Sequence, residues 1–163
     1  MAIQKLVLDT FDDDDYELIA IHSSLPSYRL AFLLNKALNL ALFRKKEDIN
    51  FKYDNIVANF PIYQYRDHLQ YNTYHLLGNK FTIKIASKKD ASEGLFAVKE
   101  DSYVTKYLIP ELKNVDYFLK INTETSTFLS KPQLAKILDI SQVITAYNVE
   151  YATLKSKNNL IFE

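Results

Sequence analysis

The residues best able to do chemistry begin with two acids, Glu111 and Asp116, which bracket the turn-forming run Leu112-Lys113-Asn114. A carboxylate pair so placed can act as general acid and base or hold a hard cation. The alternative makes Glu111 a cap on backbone amides and Asp116 the partner of a nearby lysine, because turn acids most often bond locally. Asp12, Asp13, Asp14 and Asp15 offer oxygens to calcium or magnesium. The EF-hand pattern fails there, with no glycine at its sixth position and no glutamate at its twelfth, and a solvated turn between strands suits such a run as well. Of the three histidines, His22, His68 and His75, none has HExxH spacing. No metal site is expected.

A different chemistry is offered by residues 53–75, which carry Tyr53, Phe60, Tyr63, Tyr65, Tyr71 and Tyr74 among Lys52, Arg66 and two histidines. A two-residue turn at Asp67-His68 would put Tyr63 and Tyr65 on one face with Gln70, Asn72 and Tyr74. Such a face can stack nucleic-acid bases, form a protein interface, or simply pack as core. Tyr63, Tyr65, Arg66, Tyr74 and, further along, Lys84 are the residues that a binding face would use.

Absences exclude more than these groups assert. Zero cysteine removes disulfide frameworks, thiolate zinc sites and thiol nucleophiles together. The two glycines, Gly78 and Gly94, cannot build a phosphate loop or a dinucleotide fingerprint, and there is no nucleophile elbow. No cofactor is expected. The net charge of zero hides an asymmetry, since residues 1–24 sum to −5 and the other residues to +5. With 163 residues, 48% hydrophobic and 25% charged, one domain spanning 1–163 is expected, with about 70% of its surface buried. No stretch reaches the roughly 18 uncharged apolar residues of a membrane helix, and the N-terminus lacks a signal-peptide pattern. These features predict a cytoplasmic protein without membrane contact.

The elements that would position these residues follow from periodicity. A helix is expected over 25–40 after Ser24-Leu25-Pro26-Ser27, with Tyr28, Leu30, Ala31, Phe32, Leu34, Ala37, Leu38 and Ala41 as a broad apolar stripe. A second is expected over 131–139, starting at Ser130-Lys131-Pro132. Alternation predicts strands over 3–8, 16–22, 41–46, 60–66, 69–77, 81–85, 95–99, 115–121 and 142–149, with a surface loop over 87–93. Two strand-helix-strand units result. The expected fold is α+β: one mixed, mostly antiparallel sheet with two main helices packed on one face.

Residues 109–117 read Ile-Pro-Glu-Leu-Lys-Asn-Val-Asp-Tyr. The string resembles the signature of the IPExxxVDY family, small proteins of Bacteroidetes, at Ile109, Pro110, Glu111, Val115, Asp116 and Tyr117. The following FLKI, Thr145-Ala146-Tyr147 and the closing LKSKNNLIF extend the resemblance. It implies no assigned activity, cofactor or catalytic residue. Read physically, Pro110 forbids a helix through this point and Val115 begins a strand.

Three functions are compatible with these residues. The first is a non-enzymatic protein-interaction module, including a homodimer formed through a strand edge. The second is an RNA-associated module using Tyr63, Tyr65, Arg66, Tyr74 and Lys84. The third is a hydrolase or lyase using Glu111 and Asp116.

Overall fold

The computed structural model describes residues 16–85, 101–125 and 130–162. In chain order these form β1 (Tyr16–His22), α1 (Ser27–Leu38), β2 (Phe43–Arg44), β3 (Ile49–Tyr53), β4 (Ile56–Phe60), β5 (Ile62–Asp67), β6 (Asn72–Gly78), β7 (Lys80–Ile85), β8 (Ser102–Tyr107), β9 (Tyr117–Thr123), α2 (Lys131–Leu138) and β10 (Thr145–Val149). Short 3-10 turns lie at Pro110–Leu112, Tyr151–Thr153 and Lys157–Leu160. The strands expected over 3–8 and 95–99, the loop over 87–93 and the aspartates at 12–15 lie outside the described residues.

Six strands build one antiparallel sheet in the order β10-β1-β9-β6-β5-β2. Its central strands are apolar on both sides, as the unbroken runs Leu18-Ile19-Ala20-Ile21 and Phe118-Leu119 require, so both faces must be covered. On one face Ile19, Ile21, Leu76, Leu119 and Ile121 meet Leu30, Ala31 and Leu34 of α1 and Ile137 of α2. On the other, Leu18, Ala20, Leu77 and Phe118 are covered by Ala58 and Phe60 of β4, by Leu108, Ile109 and Val115, and by Leu154 and Leu160. Each fully buried leucine, isoleucine or phenylalanine among them contributes about 1.5–3 kcal/mol. The fold is α+β with both helices on one face, as expected.

Several local expectations are corrected. Besides the main sheet there are two separate two-stranded ribbons, β3-β4 and β7-β8. The ribbon β3-β4 and strand β8 add to the expected strands. The turn between β5 and β6 spans four residues rather than two: Asp67 pairs with Asn72, Asp67 Oδ1 accepts from the N–H groups of Leu69 and Gln70, and Tyr71 takes a left-handed φ of 55°. Strand β2 is only two residues long, because Asn35 closes a tight exit from α1 by bonding both the N–H and the carbonyl of Leu42. Asn39, at φ 54°, ends α1 where a glycine would ordinarily stand. Gly78 is required for another reason: a Cβ there would lie 2.8 Å from Cδ and Cγ of Pro61.

The apolar stripe of α1 is narrower than expected. Tyr28 and Phe32 are 65% and 68% exposed, while Leu30, Ala31 and Leu34 are buried. The reason is angular. Phe32 stands two residues from both Leu30 and Leu34, about 200° round the helix from each, so a helix that buries those two turns Phe32 outward.

Candidate functional site

The nonapeptide is held by a residue outside it. Asn79 is completely buried in the bend between β6 and β7. Its Nδ2 donates to the carbonyls of Leu112 (2.9 Å) and Val115 (2.8 Å), and its Oδ1 accepts from the Ile109 N–H (2.9 Å). Its own N–H donates to the Asp116 carbonyl and its carbonyl accepts from the Leu108 N–H, both at 2.9 Å. One side chain and its backbone thus hold segment 108–116 at five points. From the opposite side Asn159 Nδ2 donates to the Leu108 carbonyl at 2.8 Å. Polar contacts of this kind let irregular backbone sit in a core without orphaned groups.

The two acids of the motif serve different elements. Glu111 Oε1 accepts from the Ser156 N–H at 2.8 Å, tying the 3-10 turn to the C-terminal segment. Desolvation pulls the Glu111 carboxyl upward, but hydrogen bonds from its own backbone, Ser156 and Lys155 outweigh it and hold its pKa below the ordinary value. Asp116 Oδ2 accepts from the Ser23 N–H (2.9 Å) and Oδ1 from Lys80 Nζ (2.7 Å), joining β1, β7 and the start of β9. The neighbouring Tyr117 donates its hydroxyl to the Leu25 carbonyl at 2.6 Å. Burial, then the Asp116 carboxylate and Tyr63, push that phenol up to about 12, so it stays protonated and remains a donor. Ile109 and Val115 are core and Pro110 opens the 3-10 turn.

Of the five residues expected to form a binding face, Tyr63, Tyr65 and Tyr74 share one face of the sheet, while Arg66 and Lys84 lie elsewhere. Tyr63 and Tyr74 are core, 7% and 3% exposed, beneath the helices. The Tyr63 hydroxyl lies 3.2 Å from Ser27 Oγ, and the Arg44 guanidinium sits over its ring. Tyr65 stacks on Tyr74 at 6.2 Å. Arg66 alternates to the opposite face of β5, and Lys84 is on the β7-β8 ribbon, paired with Asp101 at 2.6 Å. A continuous stacking platform fails because helices cover the face that carries the rings.

Two further polar places occupy the far face of the sheet. Lys120 is nearly buried; its Nζ donates to the Leu160 carbonyl (2.8 Å) and lies 4.4 Å and 4.9 Å from the Tyr16 and Phe162 rings. Beside it, His75 packs edge-on against Phe162. Burial first, then Lys120, Lys45 and Arg66, lower the His75 pKa to about 4, so the ring is neutral at physiological pH. A cavity of about 410 Å³ next to Phe162 is lined by residues 45–50 and Ile62. Elsewhere His22 Nε2 lies 3.4 Å from the Tyr147 hydroxyl and His68 is exposed at the β5-β6 turn. Among the described residues no group of three or more His, Cys, Asp or Glu could hold a metal ion, and no helix is long and apolar enough to cross a membrane.

What sequence reasoning missed is on the outside of α1. Tyr28 and Phe32, one helical turn apart, stand in solvent with Arg29 and Lys36 on the same outer side, and α1 carries no acid. Counting helical angles rather than apolar residues would have separated them from the buried stripe. Asn79 had no such signal, since a lone asparagine after a glycine reads as an ordinary turn. Comparisons with protein-family models, with curated proteins and with solved structures each find no match.

Proposed function

We propose that this chain is a non-enzymatic protein-interaction module, a cytoplasmic member of the IPExxxVDY family, whose docking surface is the outer face of α1. The observation that carries the reading is the exposed pair Tyr28 and Phe32 at helical spacing, flanked by Arg29 and Lys36. Aromatic and arginine side chains are the types that dominate interface energetics, and the two large rings stand in water on a helix whose other side, at Leu30, Ala31 and Leu34, is core. The absence of acids on α1 defines the partner's chemistry: a protein presenting an apolar pocket rimmed by carboxylates. The separate partners of Glu111 and Asp116 favour an architectural role for the signature over acid-base catalysis. Burial of Tyr63 and Tyr74 weighs against an RNA platform.

The test replaces Phe32 with a photo-crosslinking phenylalanine analogue in the native cell, with Lys155 as an exposed control position. One acidic partner should crosslink from position 32 and not from 155. Titrated in purified form, that partner should bind Phe32→Ala and Tyr28→Ala at least about tenfold more weakly than wild type. Equal crosslinking from both positions, or unchanged affinity for both variants, rejects the docking surface.

A further inference from the structure

The two edges of the main sheet are treated differently. Strand β2 is blunted in the ways that natural edges usually are: it is two residues long, carries Arg44, and runs directly into Lys45 and Lys46. Strand β10 is blunted less: it is longer, and its nearest following charge is Glu150, just past its end. Its five residues, Thr145-Ala146-Tyr147-Asn148-Val149, contain no charge and no proline, and among the described residues no strand pairs with its outer side. It is also held rigidly, because it pairs along its length with β1, whose Ile19, Ala20 and Ile21 are fully buried. Apolar side chains gather beside this edge: Ile144 is 74% exposed, Tyr147 40%, and Leu138 at the end of α2 is exposed as well.

We propose that β10 is a homodimer interface, at which a second copy of this chain adds its own β10 antiparallel across a two-fold axis. The strand is its own complement. In a register centred on Tyr147, Thr145 faces Val149 of the other copy, Ala146 faces Asn148, and Tyr147 faces Tyr147. Pairs of β-branched and aromatic residues stabilise such ladders, and with no charge on the strand no like charges oppose each other. Closed two-fold association through one self-complementary patch is the commonest oligomer symmetry. The result is one continuous antiparallel sheet of twelve strands, with α1 of each copy on the helix layer and its outer rings still exposed.

The test is sedimentation velocity on the full chain with charge variants at the central residue. Wild type should sediment at twice its 19.0 kDa mass at micromolar concentration. Tyr147→Lys and Tyr147→Glu should each dissociate at least about tenfold more readily, since like charges then stand opposed, while their equimolar mixture should return to a dimer. Circular dichroism should show both variants folded, and restoration on mixing requires it. A monomeric wild type overturns the proposal. So does a dimer that survives both single variants, or a mixture that stays monomeric. None of these results bears on binding at α1, which the crosslink from position 32 reads separately.

Discussion

Asn79 donates its backbone N–H to the carbonyl of Asp116 at 2.9 Å, and the same residue's amide holds the turn that leads up to that aspartate. The relationship explains how a segment with proline and no regular pairing crosses a core: its polar groups bond to one buried asparagine instead of to a ladder.

Replacing Asn79 should therefore be severe. Asn79→Leu removes the side-chain amide that bonds the Leu112 and Val115 carbonyls and the Ile109 N–H. The Leu112 carbonyl keeps the Val115 N–H, so the Val115 carbonyl and the Ile109 N–H are the two groups left unpaired, and a loss of about 2–6 kcal/mol is expected. Urea unfolding measures it, as a lower midpoint at unchanged slope.

The two ends of the Lys80–Asp116 pair should differ in cost. The pair is partly exposed, so Lys80→Ala should cost less than about 1 kcal/mol. Asp116→Ala also removes the acceptor of the Ser23 N–H, and Ser23 is buried, so a loss of about 1–3 kcal/mol is expected. Equal losses in thermal unfolding would contradict this division.

Acid should destabilise the protein through His75. Its pKa is about 4 in the folded state against an ordinary 6.5, so between these values the unfolded chain binds more protons. Stability from this group is fully present above about pH 6.5 and is lost as pH falls toward 4, by at most about 3 kcal/mol. His75→Gln should flatten that part of the stability–pH curve, measured by urea midpoints across the range.

On α1, burial and exposure predict opposite outcomes for neighbouring residues. Leu34→Ala should cost about 2–5 kcal/mol, while Tyr28→Ala and Phe32→Ala should each stay within about 0.5 kcal/mol. Thermal unfolding of the three variants checks it. A large loss at Phe32 would return that ring to the core.

The fold was most legible where periodicity is strong. The expected strand over 16–22 matches β1, and both helices lie within about two residues of their expected bounds. Asp67 and Asn72 are paired across His68-Leu69-Gln70-Tyr71, a run without glycine, proline or another strong turn former, so the length of that turn is not readable in the sequence. The β3-β4 ribbon was missed because Asp54-Asn55 forms its turn without glycine or proline, Asp54 taking a left-handed φ of 49°. Tyr63 and Tyr74 could not be assigned from the strand alone, since alternation says which residues share a face and not what covers it. The candidate docking rings were hidden for the converse reason: apolar type suggested burial where helical geometry dictates exposure.

The most direct test of an architectural signature and a separate docking helix is the double variant Glu111→Gln/Asp116→Asn. It is compared with wild type for the urea midpoint and for affinity toward the partner crosslinked from position 32. The midpoint should fall while affinity stays within about twofold, because these carboxylates bond to Ser156, Ser23 and Lys80 and not to α1. Lost affinity at an unchanged midpoint would contradict the account and make the two acids functional groups.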